Sequence, residues 1–62
     1  MIIYKDGKNY YIERCKDNEG IIFFLYRYST IQKNRLDSTA IAESRVEQKI
    51  ILAFNALENI YK

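Results

Sequence analysis

Hydrophobic positions along the chain fall into two regimes. Up to Ser29 they form short runs broken by turn residues, and from Ser38 onward they recur at helical spacing. Asp6-Gly7 separates Ile2-Ile3-Tyr4-Lys5 from Lys8-Asn9-Tyr10-Tyr11-Ile12, and Asp-Gly between apolar runs predicts a two-residue hairpin turn with positive φ at both positions. Asp17-Asn18-Glu19-Gly20 then separates Tyr10–Lys16 from Ile21–Ser29, a run rich in Ile, Phe and Tyr with no turn former. Three antiparallel strands are expected, at about 1–5, 9–16 and 21–29. Thr30 to Asp37 shows no period and is expected to be a loop, with Ile31 and Leu36 tucked beneath it.

Beyond Ser38, the residues Ala42, Val46, Ile50, Ala53, Phe54, Leu57, Ile60 and Tyr61 form a stripe about 120° wide at 100° per residue, uninterrupted by Gly or Pro. One amphipathic helix over about 38–61 is predicted. Asp37 or Ser38 could cap it, and Ser44-Arg45-Val46-Glu47 has capping-box spacing that would start it later. The expected fold is α+β, a three-stranded antiparallel meander followed by one C-terminal helix packed on one sheet face. Neither repeats nor a linker divide the chain, so residues 1–62 are read as a single small domain.

Strand register gives each residue a side. A two-residue turn at Asp6-Gly7 pairs Lys5 with Lys8 and Ile3 with Tyr10, and the second turn pairs Lys16 with Ile21 and Arg14 with Phe23. The first face then carries Ile2, Tyr4, Asn9, Tyr11, Glu13, Cys15, Ile22, Phe24, Tyr26 and Tyr28. It has a single charge, which makes it the expected seat of the helix, with Cys15 as a buried small hydrophobe. The second face carries Lys5, Lys8, Tyr10, Ile12, Arg14, Lys16, Phe23, Leu25 and Arg27, together with Ile3 and Ile21. Basic and apolar side chains alternate there without an acid, so these nine residues are the expected partner-binding surface. A slip of one residue would exchange the faces.

Composition narrows the chemistry. The chain has 62 residues, a net charge of +2, no His and a single Cys. The commonest general base and metal ligand is missing and no thiolate metal site can be built, so no metal, cofactor or catalytic group is expected. Acids fall in turns at opposite ends of the sheet or along the helix, and no Gly-rich phosphate loop precedes a helix. One Cys also forbids an internal disulfide, which fits a reducing compartment, the cytoplasm. The first residues lack a signal-peptide pattern, and the longest apolar run, Ile21 to Tyr26, is far short of the roughly 20 residues that span a bilayer.

A small non-enzymatic binding protein of inhibitor or adaptor type is the expected function. It would dock its basic-plus-apolar sheet face on a protein partner or on a second copy of itself, with no small-molecule substrate and no membrane. A DNA- or RNA-binding regulator using the same face is the alternative, with Lys5, Lys8, Arg14, Lys16 and Arg27 contacting phosphates while Tyr10 and Phe23 stack on bases. The strand-strand-strand-helix order resembles the sheet-reading DNA-binding domains of plants and the arm-site-binding N-terminal domains of tyrosine recombinases. That resemblance implies nucleic-acid contact through the sheet. The richness in Ile, Lys, Asn and Tyr is similar to that of small proteins from AT-rich bacterial or phage genomes.

Overall fold

A computed structural model describes residues 2–29 and 38–60. The expected loop at Thr30–Asp37, with Ile31 and Leu36, lies outside the described residues, as do Met1, Tyr61 and Lys62. The fold is α+β, with strands β1 (Ile2–Asp6), β2 (Tyr10–Asp17), β3 (Gly20–Arg27) and β4 (Thr39–Ser44) followed by helix α1 (Glu47–Ile60). All strand pairs are antiparallel and the sheet order is β1-β2-β3-β4.

The fourth strand corrects the expected three, and with it the expected order of three strands and a helix. Thr39-Ala40-Ile41-Ala42-Glu43-Ser44 pairs along β3, with Leu25 opposite Ala42 and Arg27 opposite Thr39. A helix from 38 to 61 would be about 36 Å long at 1.5 Å per residue, longer than a strand of eight residues at about 27 Å. It would also leave β3, the most apolar strand, as an open edge. Pairing residues 39–44 covers that edge, and the side chains are small or β-branched enough to lie on a pleat. The helix therefore begins at Glu47. Ser44 makes the corner: its Oγ accepts from the Val46 amide at 3.0 Å, and the Val46 carbonyl accepts the first helical bonds from Lys49 and Ile50.

The second hairpin has the register that its turn predicts, with Lys16 opposite Ile21 and Arg14 opposite Phe23. Gly20 takes φ +115°, a left-handed value open to a residue without a Cβ, and the Asp17 carboxylate accepts from the Glu19 amide at 2.9 Å. The first hairpin differs from expectation. Lys5 pairs with Ile12 and Asp6 with Tyr11, not Lys5 with Lys8, so four residues, Gly7 to Tyr10, lie between the last paired residues, and Gly7, Lys8 and Asn9 lie between the strands. Neither Asp6 nor Gly7 has the positive φ that a two-residue Asp-Gly turn needs.

Close approach is what Gly7 provides instead. A Cβ there would stand 2.5 Å from Glu58 Oε1 and 2.6 Å from the tip of the Phe54 ring. Glu58 Oε1 accepts from the Asn9 and Tyr10 amides at 2.8 and 2.7 Å, which ties this connection to the last turn of α1. Further along β1, an extra residue interrupts the ladder between Ile3 and Lys5. The bulge turns both Tyr4 and Lys5 toward the helix: Tyr4 packs edge-on against Phe23 and donates to the Glu47 carboxylate, and the Lys5 ammonium lies 5.5 Å above the Phe54 ring.

Helix α1 covers the second face, not the first. Its buried residues Ile50 and Phe54, with Ile51, Ala53 and Leu57, pack on Tyr10, Ile12, Phe23 and Leu25. Ile12 and Leu25 have no solvent exposure at all. Position within the face decides the matter. A helix about 10 Å wide covers only the middle of a sheet, and the middle of the second face is Ile12 and Leu25. Arg14, Lys16 and Arg27 are exposed around it, where their long stems carry the charges to water. The single charge of the first face, Glu13, sits at its centre, where a helix would have to bury it.

Candidate interaction surface

Among the described residues, no helix covers the first face. β2 contributes Tyr11, Glu13 and Cys15, and β3 contributes Ile22, Phe24 and Tyr26. Ile3 of β1 lies opposite Glu13, while Ala40 and Glu43 of β4 lie opposite Tyr26 and Phe24. The aromatic rings assemble in a row. Tyr11 and Tyr26 stack with centroids 5.0 Å apart and planes at 10°, Tyr28 leans on Tyr11 at 4.7 Å, and Phe24 sits 6.4 Å from Tyr26.

The row is deeply seated at one end and open at the other. Tyr11 and Tyr28 are buried, and the Tyr28 hydroxyl donates to the Asp6 carboxylate at 2.5 Å, fastening β3 to β1 across β2. Cys15, Ile22, Phe24 and Tyr26 are half-buried, and Ile41, the unpaired residue at the β4 bulge, is 43% exposed. A shallow depression between Phe24 and β4 is lined by Ala40, Ile41, Ala42 and Glu43.

Charge on this face is negative. Glu13 and Glu43 stand on this face, while Lys5, Arg14, Lys16 and Arg27 all belong to the helix side of the strands. Burial, with the nearby Glu13 carboxylate adding to it, pushes the Tyr26 hydroxyl above its usual pKa. Glu13 Oε2 is buried and has no hydrogen-bond partner among the described residues. Arg45 is engaged elsewhere, its guanidinium forked onto Asp17 at 3.0 and 2.6 Å and 3.2 Å from Glu19.

The nine residues expected to form a partner surface are divided by this arrangement. Tyr10, Ile12, Phe23 and Leu25 are core residues under α1. Lys5, Lys8, Arg14, Lys16 and Arg27 are exposed, the four strand residues among them around the core that the helix covers. The surface that does combine apolar, aromatic and charged groups holds Glu13, Ile22, Phe24, Tyr26 and Ile41. Its signal in the sequence is Glu13, a charge central to an otherwise apolar strand face. Cys15 is half-buried on this open face, not beneath the helix.

Among the described residues no group of three His, Cys, Asp or Glu side chains comes together as a metal site, and no helix is long and apolar enough to cross a membrane. No protein-family model, curated protein or solved structure gives a significant match to the chain.

Proposed function

We propose that this is a non-catalytic binding protein that docks on a protein partner through the open sheet face. The observation that carries the reading is that face itself, a row of aromatic and aliphatic side chains with acids, left bare by the only described helix. Such surfaces supply the anchors of protein interfaces, where half-buried rings lose little side-chain entropy on binding. In the cytoplasm its Cys15 thiol would stay reduced. A phosphate backbone would meet Glu13 and Glu43 there and no strand cation, so the face favours protein over nucleic acid.

The test is affinity capture from cells with a double variant on this face, Ile22→Arg with Ile41→Arg, compared against a helix-surface control, Leu52→Arg. We expect the double variant to fold, as judged by its circular dichroism, and to lose at least tenfold of the captured partner while the control keeps it. Retention of the same partner by the double variant would remove the open face from the interaction. Fluorescence anisotropy of a mixed-sequence duplex at about 50 and 200 mM salt tests the nucleic-acid alternative; binding that collapses with salt would replace the protein reading.

A further inference from the structure

Glu13 lies at the centre of the open face, cross-strand from Ile3 and Phe24 and one pleat repeat from Tyr11 and Cys15. Its buried Oε2 meets no donor among the described residues; of the described cations, Lys5, Arg14, Lys16 and Arg27 belong to the helix side of the strands and Arg45 is held by Asp17 and Glu19. A carboxylate oxygen shielded from water without a donor is unfavourable, and an apolar residue would serve the sheet better at this position. Local rules broken in this way mark sites with another task.

The surroundings say what the missing donor is. Phe24 lies cross-strand from Glu13, Tyr26 is near enough to feel its charge and Tyr11 is one pleat repeat away, so aromatic groups surround a negative charge. A guanidinium fits both: its plane stacks on a ring while its fork bonds a carboxylate. A second copy docking by the same face would bring Glu13 toward another Glu13, and nucleic acid would bring phosphate, so neither supplies the donor.

Resting on the docking role proposed above, we infer that Glu13 is the specificity-determining contact of the open face, and that the partner is a polypeptide segment which inserts an arginine between Glu13 and the Tyr26 and Phe24 rings. Aliphatic neighbours of that arginine would lie over Ile22 and toward Ile41.

The experiment uses three soluble probe peptides of sequence Gly-Ser-Ile-Xaa-Val-Ser-Gly, with arginine, citrulline or glutamate at Xaa, titrated into isotope-labelled protein and followed by NMR. The arginine peptide should shift resonances of Glu13, Phe24 and Tyr26, and citrulline, which keeps the shape and loses the charge, should bind at least tenfold more weakly. Glu13→Gln should abolish that preference while leaving the rest of the spectrum in place, and Glu13→Leu serves as a second folded variant lacking the carboxylate. Equal binding of arginine and citrulline on the open face, or a preference that survives Glu13→Gln, overturns the Glu13 assignment and leaves the docking role standing. Absence of shifts with all three peptides at millimolar concentration also overturns the inference; shifts confined to the helix side overturn both it and the docking face.

Discussion

Two glutamates each defy a local rule. Glu58 places a negative charge in the last turn of α1, where the helix dipole disfavours it and where no basic residue compensates. Its carboxylate instead satisfies the Asn9 and Tyr10 amides. Glu58→Ala should destabilise the fold by about 2 kcal/mol, since two buried-side donors lose a charged acceptor, measured by urea unfolding at neutral pH. Gly7→Ala should cost a similar amount, about 1–3 kcal/mol, because the new methyl meets a Glu58 oxygen pinned by two hydrogen bonds and a packed Phe54 ring. Glu13 works in the opposite direction. Glu13→Leu should raise stability by about 1 kcal/mol by removing the unpartnered oxygen, and an unchanged or lowered urea midpoint would show that the carboxylate is satisfied after all.

Between elements, the contacts that set the sheet against the helix lie at its two ends. Arg45, between β4 and α1, grips Asp17 in the β2–β3 turn, and Glu58 grips the β1–β2 connection. The Arg45 guanidinium, helped by the Glu19 amide, holds the Asp17 carboxyl below its usual pKa. A carboxyl with a depressed folded pKa stabilises above its unfolded pKa, near 4, and that contribution disappears as pH falls through the folded value. Wild type should therefore exceed Arg45→Ala in stability at pH 7 and approach it below about pH 3; a gap that persists in acid would assign the effect to packing. In the alkaline limb Tyr4 acts with the reverse sign. Its bond to the Glu47 carboxylate raises its pKa, so the contribution is present below the unfolded value, near 10, and is lost as pH rises through the folded one.

Elements also show how far the sequence could be read. The β2–β3 register followed from Asp17 to Gly20 because turn chemistry there matches the chain's needs, and the helix core stripe of Ile50, Phe54 and Leu57 is the observed one. β4 escaped notice because Ala42 and Val46 continue the helical period, while the demand for a strand came from the bare edge of β3, a tertiary cause. Asp6-Gly7 reads as a tight turn by local preference, yet the glycine serves a helix 47 to 51 residues away in the chain. The face assignment failed for a spatial reason, since counting apolar residues ignores that a helix shelters only the central ones.

At the scale of the whole molecule, the helix packs on one side of the sheet, and the other side is the one proposed for docking. Ile12 and Leu25, both without exposure, hold the helical side together. Leu25→Ala should cost about 2–5 kcal/mol and leave little folded protein at 37 °C, whereas Phe24→Ala on the open face should unfold at a urea midpoint much closer to wild type. Because the two faces differ in charge as well as covering, stacking of like faces is unfavourable: the open faces would oppose Glu13 to Glu13, and the basic faces are already occupied by α1. Light scattering at micromolar concentration should therefore report a monomer. A dimer that dissociates on Ile41→Arg would instead place the self-contact at the β4 edge.

The tie between Glu58 and the Asn9 and Tyr10 amides spans 49 and 48 residues of chain, and this shapes the order in which the protein can assemble. The Gly7 amide donates to the Tyr10 carbonyl within the first hairpin, but the Asn9 and Tyr10 amides gain their carboxylate acceptor only when the last helix arrives, so a meander formed early would leave Tyr10 and Ile12 in water. Closure of a loop this long delays the rewarded contacts. In a pulse-labelling refolding experiment the Tyr10 amide should gain protection together with the helix and after the β2–β3 hairpin. The beginning of the chain would thus become native at the moment its far end docks.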